Sequence, residues 1–385
     1  MVIHNKSIAI IGGGPGGLTL ARLLQIKGAN VKVYERDVNR EVRVQGATLD
    51  LHQDTGLKAL AAAGLLDAFK ANYRPGADKM CIVDRNATVL YSDYEKQEEA
   101  FDDAWFRPEI DRGPLRNILL DSLQPDTVVW NSHIVSLTPA SDGWKIQFQN
   151  EETAVADMVI GADGANSKIR PFVTPIKAVY AGLTCIEGVV YDAVTGAPKV
   201  NELLKDGKIF AFGDEKSLIV SSKGDGSLAF YTGCNTSENW AKESGIDFKN
   251  AAQVFEWFKK EYAGWDSFWY ELFTNGNVYF GPRPQYYIPL NQNWDAQPNI
   301  TLLGDAAHVM PPYAGEGVNM AMLDALELSE CLTNDGFTSV QAAIQQYETN
   351  MRARASKIAA MTLEQTAALH SPQALDYMLG LLAGN

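Results

Sequence analysis

With 385 residues, 46% of them apolar and 21% charged, the chain carries enough apolar material for two packed domains and an enclosed pocket. A formal charge of −14 argues against nucleic acid and against an anionic membrane surface, since both demand clustered Lys and Arg. The four cysteines, Cys81, Cys185, Cys234 and Cys331, show neither CxxC nor Cys/His ligand spacing, which argues against a zinc site and fits reduced thiols in a cytosol.

The opening stretch MVIHNKSIAIIGGG has too short an apolar run for a signal peptide, and no apolar stretch of about 18 residues predicts a membrane span. A cytoplasmic protein is therefore expected, with a monomer as the default. Residues 7–11 form a β-branched apolar run and read as a buried strand. Residues 18–27 read as a helix, with Leu18, Ala21, Leu24 and Gln25 at helical spacing, and 30–35 alternate as a second strand. This βαβ unit implies a parallel sheet. Further along, 56–69 and 114–123 read as helices, the second with Pro in its first turn, and 127–130, 144–148 and 156–160 as strands. From about 176 to 278 a period of two dominates (KIFAFG, SLIVSS, SLAFYTG), which predicts an antiparallel sheet with one face available to a pocket. Trp265 and Trp269 read as core. After Asn299 the strand-then-helix pattern returns with 300–303 and 318–328. The tail, 339–382, is helical, with Tyr347, Met351, Ala355, Ile358 and Met361 along one side. The expected fold class is α/β. A Rossmann-like domain (1–72, 99–174 and 280–350) is interrupted by a mostly antiparallel β-sheet domain (73–98 and 175–279), and a C-terminal helix, 351–385, bridges the two.

Two stretches carry chemistry. In IGGGPGGL, Gly12, Gly14 and Gly17 form G-x-G-x-x-G between a strand and a helix. Gly12 permits the tight turn, Gly14 lets backbone approach a pyrophosphate, and Gly17 lets helix pack closely on strand. Glu35 ends the second strand, where an acid can accept the ribose hydroxyls of adenosine. Flavin and nicotinamide dinucleotides share this cradle, so it does not choose between them. The second stretch is GDAAHVMPPYAGEGVN, 304–319. Asp305, at the carboxyl edge of a parallel strand, can accept ribityl hydroxyls. Pro311 and Pro312 fix extended backbone, Gly315 and Gly317 let that backbone approach a flat ring, and Asn319 can cap or orient the turn. The helix that follows aims its N-terminus at the negative charge of a reduced flavin. His308 reads more readily as a histidine bonded into this loop than as a base.

GGGPGG with Glu35, then GADGANSKIR at 161–170, then GDAAHVMPPYAGEGVN match, in order, the motifs of the group A flavin-dependent aromatic hydroxylases of the p-hydroxybenzoate hydroxylase type. VYERDVNREVRVQGATLDLH, RNILLDSL and MPPYAG resemble most closely the tetracycline-inactivating flavin monooxygenases. The resemblance implies an FAD-binding domain interrupted by a substrate-binding domain. It implies Arg36, Asp50, Arg112 and Asp305 as residues that contact FAD or receive NADPH, and Asp163, of Asp163-Gly164, as serving both. Arg36 and Arg43 bear on the NADPH preference indirectly. Two departures stand out. The family's substrate-binding amide, guanidinium and imidazole positions fall at Glu187, near Lys208 and at Ala229, and its usual glutamine is Glu316.

The implied reaction is reduction of FAD by NADPH, capture of O2 as a flavin C4a-hydroperoxide, and hydroxylation of an aromatic or polycyclic enol substrate, with tetracycline-like antibiotics among the candidates. The flavin carries the chemistry, so no protein nucleophile is assigned. Glu187, Lys208, Phe210, Phe230 and Tyr313 are the candidate substrate contacts. The competing readings are a flavin oxidoreductase of the same fold without oxygen insertion, and a flavoprotein that sequesters its ligand without catalysis.

Overall fold

A computed structural model describes residues 1–385 apart from 43–45, 97–99, 102, 104, 142, 275–277 and 384–385; Arg43 therefore lies outside the described residues. Five parallel strands make the first sheet, in the order Ile300–Leu302, Met158–Gly161, Ser7–Ile11, Asn30–Tyr34, Val128–Val129. Its central strands are near-continuous Val and Ile because helices cover the sheet. The fingerprint glycines are required by contact. A Cβ on Gly12 (φ +112°) would fall 2.3 Å from the carbonyl oxygen of Ala162, and one on Gly17 2.1 Å from that of Gly12. These approaches bring the helix Pro15–Ile26 and the end of Met158–Gly161 onto the same strand terminus.

The second sheet has seven strands in the order Val278–Tyr287, Val179–Val190, Leu228–Asn235, Lys216–Ser222, Lys208–Gly213, Met80–Asp84, Val89–Ser92. All neighbours are antiparallel except Lys208–Gly213 with Met80–Asp84. Register divides its side chains between two faces. On the far face Ile186, Ile209, Val220 and Phe230 pack against the helices Pro198–Leu204 and Ala251–Glu261 and the segment Ser267–Thr274. On the near face Phe210, Phe212 and Ile82 meet Leu375, Met378 and Leu379 of the terminal helix Ala374–Ala383. Trp265 and Trp269 are buried core residues, as expected.

The far face contains a sharp packing constraint. Phe230 lies over Gly188, where an added Cβ would fall 2.1 Å from the ring. That ring is held by Phe273 and Phe280 at centroid distances of 5.2 and 6.1 Å and cannot retreat. Gly188→Ala is expected to lower stability by about 2–3 kcal/mol through overpacking, read as a shift in the urea unfolding midpoint; an unchanged midpoint would reject the constraint.

Three expectations are corrected. The helix expected at 56–69 is broken: a π-turn Gln53–Leu57 leads into Lys58–Ala62, Gly64 adopts φ +71°, and Leu66–Lys70 resumes. The strand expected at 156–160 is two pieces, because Ala156 ends Thr153–Ala156 in a separate antiparallel sheet. The tail bends at His370, between Val340–Leu369 and Ala374–Ala383. Its buried stripe runs through Tyr347, Met351, Ala355, Ala359, Thr362 and Thr366, while Met361 is exposed and Ile358 half-buried. The expected face shortens its step from four to three residues after Ala355, whereas the buried stripe keeps a step of four to Ala359, so the two diverge along the far end of the helix.

Candidate active site and cofactor cleft

Two long helices begin at the carboxyl edge of the parallel sheet and lie side by side, Pro15–Ile26 and Gly317–Thr333. A Cβ on Gly16 would meet the carbonyl oxygen of Ala321 at 3.0 Å, which shows how closely they pack. Gly14 and Gly317 sit at their starts, and a Cβ on either would meet nothing within 4 Å. Both starts therefore face open space at the sheet edge, with unpaired N–H groups and the positive ends of two helix dipoles directed into it. A pair of anion-binding termini at one sheet edge suits a group with a pyrophosphate and a second electron-rich end.

Glu35, buried at the end of Asn30–Tyr34, accepts the Gly13 N–H at 2.6 Å and the Asp37 N–H at 3.0 Å, so it also fixes the fingerprint turn. Arg36 beside it is exposed. Arg112, exposed at the start of Arg112–Asp121, donates from Nε to the Ala47 carbonyl at 3.0 Å. Asp305 opens to solvent at the strand end although protein surrounds it, and burial pushes its carboxyl above the usual range. Asp163 is held within its own motif: Ser167 Oγ and the Lys168 N–H each donate to it at 2.6 Å. Burial is the main influence on its carboxyl, which is raised.

The polar stretch after Ile300–Leu302 explains itself by what it must satisfy. Gly304 (φ +59°) donates its N–H at 2.9 Å to Asp324, which is fully buried. His308 Nε2 donates to the same carboxylate at 2.5 Å, and Arg354 reaches its other oxygen at 2.7 Å. His308 is therefore a loop anchor. Burial opposes the His308 charge, but Asp324 outweighs it and raises this imidazole; the same partners hold Asp324 low against its own burial. Asn319 accepts the His52 N–H (2.9 Å) and the Thr55 hydroxyl (3.1 Å), and donates to the carbonyls of Asp50 (2.9 Å) and Gly315 (3.3 Å). With its amide consumed in this way, Asn319 orients the loop. Gly315 adopts φ +70° with the Asp50 carboxylate against its Cα, and Pro312 projects outward. Burial would raise Asp50, yet the His52 hydrogen bond at 2.9 Å and the Lys208 charge bring it below the usual range.

The near face of the second sheet lies opposite this loop. It gathers Glu187, Lys208, Ala229 and Phe210 and adds Tyr231, Ile219 and Ser217. Phe210, Ile219 and Tyr231 are only partly buried there. Two of the expected polar contacts are already occupied. Glu187 is bound by Arg283 at 2.6 Å and by the Tyr231 hydroxyl at 3.2 Å, and Tyr231 in turn accepts the Ala47 N–H at 3.2 Å. Lys208 is paired with buried Glu109; burial opposes its charge, but Glu109 and Asp50 hold the ammonium above its ordinary value. Phe230 is corrected outright. One residue from Tyr231, it points to the far face and is fully buried. Tyr313 crosses from the loop to the sheet, its hydroxyl 3.2 Å from His370 Nε2 and 3.3 Å from Cys185 Sγ. His370 donates from Nδ1 to the Thr366 carbonyl at 2.7 Å, so Nε2 accepts, and it also meets Ser217 Oγ at 2.9 Å.

Sequence reasoning missed His370, Ser217, Tyr231, Asp324 and Arg170. Arg170 ties the second motif to the third, donating to the carbonyls of Ala306 (3.1 Å) and Ala307 (2.8 Å) and to Gln292 (2.9 Å). Burial lowers it to about 10. Its place at the end of GADGANSKIR was the available signal; the others come together only in space.

A dinucleotide cleft flanked by a mixed sheet defines a flavoprotein of the monooxygenase class. The family described as "FAD binding domain" matches residues 5–244 and 291–362, and the chain belongs to it. It is an FAD-dependent monooxygenase. Monooxygenase asqM of Emericella nidulans is 26% identical, over 98% of this chain and 98% of its own. A solved structure from Photorhabdus luminescens subsp. laumondii TTO1, described as an FAD containing monooxygenase, is 25% identical with a TM-score of 0.76, covering 94% of this chain and 98% of that one. The tetracycline destructase Tet(55) shares the fold at 20% identity and a TM-score of 0.75, covering 100% of this chain and 96% of its own. No helix among the described residues is long and apolar enough to cross a membrane, and no cluster of His, Cys, Asp or Glu among them is placed to hold a metal ion.

Proposed function

We propose that the chain hydroxylates an electron-rich phenol or polycyclic enol held between the near face of the seven-stranded sheet and the loop 305–319, with NADPH as reductant. The observation that supports this most directly is the row Phe210, Ile219, Tyr231, which stays partly open on the sheet face turned toward that loop. A flat apolar floor beside polar side chains suits a ring substrate. The parallel-sheet domain would hold FAD. Gly12, Gly14 and Gly17 with the first helix would take the pyrophosphate, Glu35 the adenosine ribose, Asp305 the ribityl chain, and Gly315 and Gly317 the flat ring. Arg36, Asp50, Arg112 and Asp163 remain proposed contacts for FAD or for the arriving nicotinamide. Bound FAD supplies the redox chemistry, accepting a hydride and activating O2. The protein excludes water and orients the ring. Glu187 and Lys208 are held by ion pairs, the Tyr231 hydroxyl by Glu187 and the Ala47 N–H, and Ser217, Tyr313 and His370 by one another, so polar recognition of a substrate would exchange contacts within this network for contacts to the ligand.

The test is NADPH consumption by FAD-loaded protein in air, with tetracycline and then simpler phenols, reading product mass. Stimulated consumption with one oxygen atom gained is expected for at least one of these compounds. Stimulation without oxygen gain would mean an oxidoreductase that does not insert oxygen. Flavin that NADPH fails to reduce even under nitrogen would indicate a sequestering protein.

A further inference from the structure

Glu316 caps the N-terminus of Gly317–Thr333 by position, immediately before the glycine that opens into the cleft. Its carboxylate stands 3.7 Å from His52 Nδ1, and His52 Nε2 stands 2.9 Å from Asp50 Oδ2. All three side chains are largely shielded, with 13%, 14% and 21% of their surfaces exposed. The ionised Asp50 can only accept, so His52 Nε2 donates to it, and the His52 Nδ1 lone pair is left facing Glu316. A proton placed between Nδ1 and Glu316 leaves the trio with the same net charge whichever of the two carries it. From the neighbouring elements, Arg107 also faces Glu316, and Lys208, paired with Glu109, faces Asp50.

We propose that Glu316, backed by His52 and Asp50, takes up a proton from solvent when the cofactor in the cleft is reduced. The inference rests on FAD occupying that cleft as described above. Hydride addition delivers two electrons and one proton to the ring and leaves it with one more negative charge than before. A second proton, drawn from solvent onto Glu316, balances that charge beside the helix start. Burial, the largest influence on Glu316, already raises its carboxyl, so a further negative charge nearby favours the protonated form. His52 and Asp50 act as positioning residues that hold the carboxyl at the cleft end.

The experiment is a mediated potentiometric titration of FAD-loaded protein across alkaline pH, comparing wild type with Glu316→Gln. Each proton taken up with two electrons adds about 30 mV per pH unit to the slope of the midpoint potential. The wild type is expected to be steeper than Glu316→Gln by that amount, and equal slopes would overturn the proposal. Reduction of the wild type should also produce a protonated-carboxyl band in the infrared difference spectrum. Its absence overturns the proposal even if the variant loses FAD. Failure of the wild type to retain FAD would instead reject the cofactor assignment of the cleft.

Discussion

Gly14→Asp is expected to yield folded protein that no longer retains FAD, with affinity lowered at least about 100-fold, or roughly 2.7 kcal/mol. The reasoning separates this position from its neighbours. A side chain at Gly12 or Gly17 collides with backbone at 2.3 or 2.1 Å, so substitution there disturbs the fold itself. At Gly14 nothing lies within 4 Å, and its φ of −78° suits any residue. The new carboxylate enters the cleft at a helix start that would otherwise face the pyrophosphate, and like charges repel there without water between them. The readouts are flavin absorbance after gel filtration and thermal unfolding of the cofactor-free protein. Retained flavin would remove the pyrophosphate from that helix start. Lost flavin with an equal loss of stability in the cofactor-free protein would mean a folding defect.

Asp324→Ala is expected to cost about 3–5 kcal/mol of stability, the range for breaking a buried charge network from one side. Asp324 is fully buried and accepts from Gly304, His308 and Arg354, so its removal strands the His308 imidazole and a backbone N–H, and leaves Arg354 with Glu327 alone at 2.6 Å. The network also dictates a pH profile. Asp324 is held low in the fold, so its contribution is present above its unfolded value near ~3.9 and fades as pH falls through the lower folded value. His308 is raised, so its contribution is full below its unfolded value near ~6.5 and is lost as pH rises through the higher folded value. Melting temperature of the wild type should therefore decline on the alkaline side. His308→Gln should flatten that decline; an identical profile in the variant would show that the imidazole carries no charge in the fold.

Much of this protein was legible in one dimension because its strongest constraints are local. The fingerprint needs three glycines at fixed offsets, since backbone contacts within a single strand-turn-helix set them, and IGGGPGGL displays them directly. Alternation from about 176 to 278 announced the second sheet for the same reason: one residue decides one face. The face a strand residue takes depends on register with its partners. Phe230 and Tyr231 differ by one position, and only pairing with Val220 and Gly188 shows that Phe230 belongs to the core. The charged residues of the near face have partners from distant parts of the chain. Glu187 and Lys208 do reach the near face, yet Arg283 and Glu109, 96 and 99 residues away, determine that both are occupied. His370 meets Tyr313 across 57 residues and Ser217 across 153. Sequence alone thus determined the cofactor cradle and the alternation of sheet and helix, because neighbouring residues enforce them. Only the tertiary structure decided which polar groups stay available to a ligand, because a buried charge takes whichever partner the packing brings within about 3 Å, however distant in the chain.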